Sequence, residues 1–151
     1  MAKAKSHIPE GLRAVIPQLV VADGRKLLAF CEAAFGASVG DMVPGPDGKG
    51  VLHGFMRIHG EAVFFSDAAG FAKPTTANFF LYVPDVDATV AAAVAAGAKI
   101  SAPVADMFWG DRWGMIEDPF GNAWQIATHI EDIDPEEMKR RMAASAQGGG
   151  R

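Results

Sequence analysis

The chain repeats itself, and that repeat constrains the fold before any motif is considered. Gln18-Leu19-Val20-Val21-Ala22-Asp23 returns 62 residues later as Phe80-Leu81-Tyr82-Val83-Pro84-Asp85. Each copy reads as a strand ending at an aspartate. Each aspartate suits the cap of a following helix, because its short carboxylate can accept the unpaired N–H groups of a first turn. Leu27, Phe30, Cys31, Ala34 and Phe35 give the first helix one apolar face, and Val86, Val90, Ala93 and Val94 do the same for the second. Gly36 and Gly97 stop the helices where a left-handed backbone is needed. From there the offset is 61: His59-Gly60-Glu61-Ala62-Val63-Phe64-Phe65 matches Phe120-Gly121-Asn122-Ala123-Trp124-Gln125-Ile126. Turn residues fall where hairpins require them, at Pro44-Gly45-Pro46-Asp47-Gly48, at His59-Gly60 and at Asp118-Pro119-Phe120-Gly121. Each half therefore reads strand, helix, three strands.

At 151 residues, half of them hydrophobic, the chain can bury one core of ordinary size. Lys and Arg total 14 against 18 Asp and Glu, for a net charge of -4, with no long run of either sign, so nucleic acid is not an expected partner. Apolar runs are broken by Gly, Pro or charge well short of the ~20 residues a membrane helix needs, and no membrane partner is expected either. The first ten residues lack the apolar block and cleavage site of a secretory leader, and Cys31 is the only cysteine. Both observations point to a cytoplasmic protein.

Tandem strand-helix-three-strand units with Asp118-Pro119-Phe120-Gly121 before the last strand resemble the vicinal-oxygen-chelate superfamily of glyoxalases, bleomycin-resistance proteins and extradiol dioxygenases, over roughly residues 12–130. Ala33-Ala34-Phe35-Gly36-Ala37, Pro46-Asp47-Gly48-Lys49, Asp85-Val86-Asp87-Ala88, Phe108-Trp109-Gly110-Asp111-Arg112 and Ile126-Ala127-Thr128-His129 resemble its PhnB-like branch. The resemblance implies an α+β fold: two tandem βαβββ modules forming a curved mixed sheet around a central cleft, plus a C-terminal helix. The expected boundaries are a tail at 1–11, a single domain at 12–130 (modules at about 12–68 and 76–130), a helix at 131–146 and a flexible tail at 147–151. Asp134-Pro135-Glu136-Glu137 carries the start signals of that helix, on which Met138 and Met142 cover either a partner or their own chain. The cleft closes within one chain or across a dimer, and a homodimer is expected.

In metal-dependent members, as the resemblance implies, ligands come from the first and last strands of each module. Those four positions fall at Gln18, Phe64, Phe80 and Gln125. Phenyl rings cannot ligate, and neutral amides are poor donors for Zn, Fe or Mn, so neither a metal nor another cofactor is expected.

The expected ligand contacts are Gln18, His53, Phe55, Arg57, Phe64, Asn78, Phe80, Tyr82, Trp109, Arg112 and Gln125. Along Val51–Ile58, period-two alternation turns Leu52, Met56 and Ile58 toward the helix and His53, Phe55 and Arg57 toward the ligand. His53 is then either a general base or hydrogen-bond partner, or an imidazole satisfied by polar neighbours. Arg112 pairs either an anionic ligand group or one of Asp106, Asp111 and Glu117. Met107-Phe108-Trp109-Gly110 roofs the ligand or makes a dimer contact, while Cys31 packs in the core. Aromatic faces with a few polar groups suit an organic ligand that has a flat apolar part and a polar or anionic group. Three functions fit. One is metal-independent binding, or sequestration, of a small, partly aromatic molecule. Another is an enzyme of lyase, isomerase or dioxygenase type, using a divalent metal held elsewhere or His53 as its acid–base group. The third is a regulatory or interaction subunit without its own ligand, contacting its partner through the Phe108-Trp109 loop.

Overall fold

The computed structural model describes residues 4–70 and 72–148. Its elements are β1 (Gln18–Val21), α1 (Gly24–Phe35), β2 (Ser38–Pro44), β3 (Val51–Ile58) and β4 (Glu61–Asp67), then β5 (Asn78–Tyr82), α2 (Val86–Ala95), β6 (Lys99–Asp106), β7 (Asp111–Glu117) and β8 (Ala123–His129), and last α3 (Pro135–Gly148). The chain divides into two units between Thr76 and Ala77. Each unit holds one four-stranded mixed sheet, ordered β1-β4-β3-β2 in the first and β5-β8-β7-β6 in the second. In each the first and last strands pair in parallel and the hairpin strands pair antiparallel. The fold is α+β, built from two βαβββ modules.

The helices begin and end for the reasons their sequences suggest. Asp23 and Asp85 accept the backbone N–H of Lys26 and Ala88. Gly36, at φ 63, turns the chain out of α1, with its own N–H and that of Ala37 donating to the carbonyls of Glu32 and Cys31. The apolar stripe of α1, including Leu27, Phe30, Cys31 and Phe35, is buried with Leu19, Val21, Met56, Val63 and Phe65 of the first sheet. In the second module Val86, Val90 and Ala93 of α2 are buried with Ile116, Trp124 and Ile126, and Phe79 stacks on Trp124 at 4.3 Å.

Side chains at the ends of the last strands tie each module shut. Asp67, closing β4, accepts the N–H of Gly24 at 2.7 Å and that of Val51 at 3.0 Å. Its repeat counterpart Thr128 accepts the N–H of Val86 at 2.9 Å and donates to the Val83 carbonyl at 3.0 Å. In the turn before β8, the buried Asp118 accepts four bonds, from the N–H groups of Phe120 and Asn122, the Asn122 amide and the Trp124 indole. The Asn122 carbonyl oxygen in turn accepts the N–H of Ala77 at 3.0 Å, just ahead of β5.

Three local expectations are corrected. Leu52 does not meet α1: it is 59% exposed and Val51 is buried instead, because a register shift between Val43 and Pro44 reverses the alternation at the start of β3. Val94 is likewise exposed, on the outer side of α2. The C-terminal helix starts at Pro135 rather than 131, with Asp134 accepting from the N–H groups of Glu136 and Glu137, and it continues to Gly148. Of the tail expected at 147–151, residues 149–151 lie outside the described residues.

Replacing Asp118 by Ala removes the acceptor of three buried donors, the Asn122 N–H and amide and the Trp124 indole, and of the part-buried Phe120 N–H. The expected loss is about 3 kcal/mol or more, read as a lower urea midpoint; a loss under about 1 kcal/mol would show that the turn is held by backbone bonds alone.

Candidate functional site

Alternation gives each sheet one face against its helix and one face away from it. In the first module the face away from α1 is built around the parallel pair Gln18 and Phe64. Phe64 lies between two rings on the next strand, His53 at 4.7 Å and Phe55 at 6.1 Å, both edge-on. Phe55 has room because Gly40 stands opposite: a Cβ there would overlap its ring. Arg57 lies over the Phe55 ring at 5.1 Å, but its guanidinium donates to the carbonyls of Gly60 at 2.9 Å and Gly11 at 3.0 Å. Ser66, next but one after Phe64 and beside Val20 of β1, is 96% buried, counting from its 4% exposure, and its hydroxyl has no hydrogen-bond partner. Among the described residues His53 likewise makes no hydrogen bond, so polar neighbours do not satisfy it.

The second module repeats the plan with the types exchanged. Phe80 is on the edge strand and Gln125 beside it on the inner one. Phe80 and Tyr82, two apart on β5 with rings 5.1 Å apart, are 48% and 56% exposed. Asn78 lies on the same face at the start of β5, also exposed. Across Ala127 from Tyr82 stands Trp113, whose indole N–H is buried and has no partner. Trp109 packs on Trp113 at 6.1 Å and on Phe108 at 5.1 Å.

A buried carboxylate organises the end of this face. Asp111 accepts the Tyr82 hydroxyl at 3.0 Å and the Trp109 indole N–H at 3.1 Å on one oxygen, and meets His129 Nδ1 at 2.8 Å on the other. Nε2 of His129 meets Asp132 at 3.0 Å. Only the imidazolium can donate from both nitrogens, and the two carboxylates, Asp132 foremost, raise the His129 pKa above its ordinary value. The bond to Asp111 likewise raises the Tyr82 phenol.

Arg112 lies on the helix side of its sheet, apart from the other residues of the expected set. Its neighbours Gly114 and Ile116 are buried toward α2, and Arg112 shares their side of β7. There its Nε and Nη2 grip Asp87 at 2.6 and 2.9 Å, while Nη1 donates to Asp106 at 2.8 Å, which lowers the Asp87 pKa. Asp106 is one of the partners expected for it; Asp87, in the first turn of α2, is an additional one. The residue that does occupy the outer face is Trp113, which the sequence reading missed. Its signal was in the repeat: His53-Gly54-Phe55 and Trp113-Gly114-Met115 flank equivalent glycines, each paired with the inner strand at Phe65 and Ile126.

Among the described residues no three His, Cys, Asp or Glu side chains gather as a metal-binding set. Gln18 and Phe64 in the first module, and Phe80 and Gln125 in the second, are neutral amides and phenyl rings, the first poor and the second no ligands for a transition metal. A hollow of about 420 Å³ opens at the start of α1, but Asp67 in its wall is already bonded to Gly24 and Val51, and Arg25 donates to the Lys49 carbonyl.

The sequence profile of the Glyoxalase/Bleomycin resistance protein/Dioxygenase superfamily matches residues 13–126. The uncharacterised protein Mb0911c of Mycobacterium bovis is 35% identical over 148 residues, covering 91% of this chain and 95% of its own. The crystal structure of TioX from Micromonospora sp. ML1 is similar at a TM-score of 0.66 and 22% identity, over 78% of this chain and 99% of that one. A PhnB protein from Bacillus cereus is similar at 0.63 and 12% identity, over 77% and 99%. The two structures share the fold.

The Asp111–His129–Asp132 cluster carries a pH dependence. Because the folded pKa of His129 is raised, its contribution is fully present below the unfolded value of about 6.5 and is lost as pH rises through the folded value. The gap in urea midpoint between the native chain and His129→Gln should therefore narrow as pH is raised from 6 to 9. A gap that widens would reverse the assigned protonation.

Proposed function

Because the chain belongs to the Glyoxalase/Bleomycin resistance protein/Dioxygenase superfamily, we propose that it binds and sequesters a small, partly aromatic organic molecule on the helix-free faces of its modules, without a metal. The observation that carries this reading is the pair of exposed rings on β5. Phe80 and Tyr82 leave about half of their surface open on the face that also holds Gln125 and Trp113. Large rings held side by side in the open bury little area for the fold and offer it to a flat ligand. Metal independence rests on the chemistry of Gln18, Phe64, Phe80 and Gln125, which supply surface and hydrogen bonds at the family's ligand positions. We place the chain in the PhnB-like branch on the Phe108–Arg112 and Ile126–His129 strings, as a cytoplasmic homodimer.

In a thermal-shift screen of planar aromatic compounds, the hits should stabilise the native chain equally with and without EDTA. Phe80→Ala should then weaken the best hit by about 1 to 3 kcal/mol while barely moving the melting temperature of the unliganded chain. Stabilisation lost on chelation, or no shift with any planar compound, would sink the reading.

Assembly is tested separately. Light scattering at micromolar concentration should return twice the chain mass, and a monomer mass would remove the dimer while leaving the binding reading intact.

A further inference from the structure

The helix-free face of the first module holds two polar side chains that the chain leaves unbonded, and they are neighbours. One step past the Gly54–Phe65 pair, the antiparallel register of β3 and β4 brings His53 opposite Ser66. Side chains so placed have Cβ atoms about 5 Å apart. Both turn to the side of the sheet that carries the rings, Ser66 two residues from Phe64 and His53 two from Phe55. Ser66 is 4% exposed, and its hydroxyl has no hydrogen-bond partner. His53 is half-buried, rests its ring edge-on against Phe64 at 4.7 Å and makes no hydrogen bond. Their partners on the outer strands, Val20 beside Ser66 and Val43 beside His53, have no polar side chain to offer them.

Charge on this sheet is lopsided. Of the carboxylates on its four strands, Glu61 is paired with Arg13, Asp67 accepts the N–H groups of Gly24 and Val51, and Asp41 stands exposed at the bulge of the edge strand β2. The basic groups are His53 and Arg57. Both terminal nitrogens of Arg57 meet backbone carbonyls, which leaves its charge without a carboxylate partner.

From this we infer that Ser66 and His53 form a seat for the carboxylate of an aromatic acid, each donating a hydrogen bond to it, with the ring of the acid on Phe64. This rests on the proposed binding function and names a ligand class and a place for it. A hydroxyl donates through its O–H, and an imidazole through whichever nitrogen carries the proton. Donation to a carboxylate is charge-assisted and roughly twice as strong as donation to a neutral carbonyl, so the acid is favoured over an amide of the same shape. An ammonium has no such bond to gain and meets the unpaired charge of Arg57 on the same face. The Ser66 hydroxyl is shielded in the unliganded chain, and His53 is the neighbour that can uncover it, since a ring contact and no hydrogen bond holds its imidazole in place. Binding of the acid then gives the buried hydroxyl the partner that the fold denies it.

Three probes of one shape decide the matter: 2-naphthoate, 2-naphthamide and (2-naphthyl)methylammonium, titrated by calorimetry at pH 7.5 into the full chain. The acid should bind at least tenfold more tightly than the other two. Ser66→Ala should weaken the acid about tenfold, yet leave the urea midpoint of the unliganded chain unchanged or raised, because it removes a hydroxyl that bonds to nothing. A lowered midpoint, or a variant that does not fold by circular dichroism, would show that the hydroxyl serves the fold and would overturn the seat. His53→Phe, which keeps a ring against Phe64 and removes the N–H, should weaken the acid several-fold and the amide less. Naphthamide or the ammonium binding as well as the acid would overturn the carboxylate and leave the aromatic-binding function standing. No binding by any of the three would overturn both. A preference for the acid untouched in both variants would overturn Ser66 and His53 as its source.

Discussion

The parallel pairing of first and last strands within each module is the contact on which the rest depends. The partners in β1 and β4, or β5 and β8, are separated by a helix and two strands, so the pairing can form only after long loops close. It is therefore secured by side chains that reach across those loops: Asp67 to the start of α1, Thr128 to the start of α2, and Asn122 to Ala77 ahead of β5. Once that register is set, the side-by-side placement of Gln18 with Phe64, and of Phe80 with Gln125, follows with no further freedom, because a slip of one residue would turn each side chain to the helix face.

The same alternation explains which charges serve the fold. A charged residue next to the helix must find a partner there, and Arg112 does so with Asp87 of α2, an exposed pair that fixes the helix to its sheet more by geometry than by energy. Asp111 lies on the opposite side of the strand, nearly without solvent, and is tolerable only because three donors converge on it. That network also disposes of the aromatic loop before β7, since the Trp109 indole is tied to Asp111, and the Phe108 carbonyl accepts weakly, at 3.5 Å, from Arg141 of α3.

The architecture was legible in the sequence because its signals are local. Caps at Asp23 and Asp85, stops at Gly36 and Gly97, and the turn at Asp118 each depend on residues within a few positions. The face assignments were legible only where alternation ran unbroken. At Leu52 a bulge reversed it, and nothing in Val51–Ile58 itself announces a shift that belongs to the pairing with β2. At Arg112 alternation did hold: the buried Gly114 and Ile116 mark that side of β7 as the helix side, where Arg112 meets Asp106, one of its expected partners, and Asp87 of α2, which only the fold brings near. The Asp111 cluster was beyond reach, since Tyr82, Trp109 and His129 come from three separate segments.

The two modules carry the same pair of residue types with their places exchanged, and the exchange has a physical consequence. An inner strand has neighbours on both sides, whereas an edge strand has one. Phe64, on the inner strand of the first module, is therefore hemmed in by His53 and Phe55 and left half-buried, with its partner Gln18 exposed on the edge. Phe80, on the edge of the second, keeps nearly half its surface open beside Tyr82, while Gln125 is partly enclosed. The first face thus presents an amide in front of a shielded ring, and the second presents rings in front of a shielded amide. The repeat has thus produced two unequal faces from one plan.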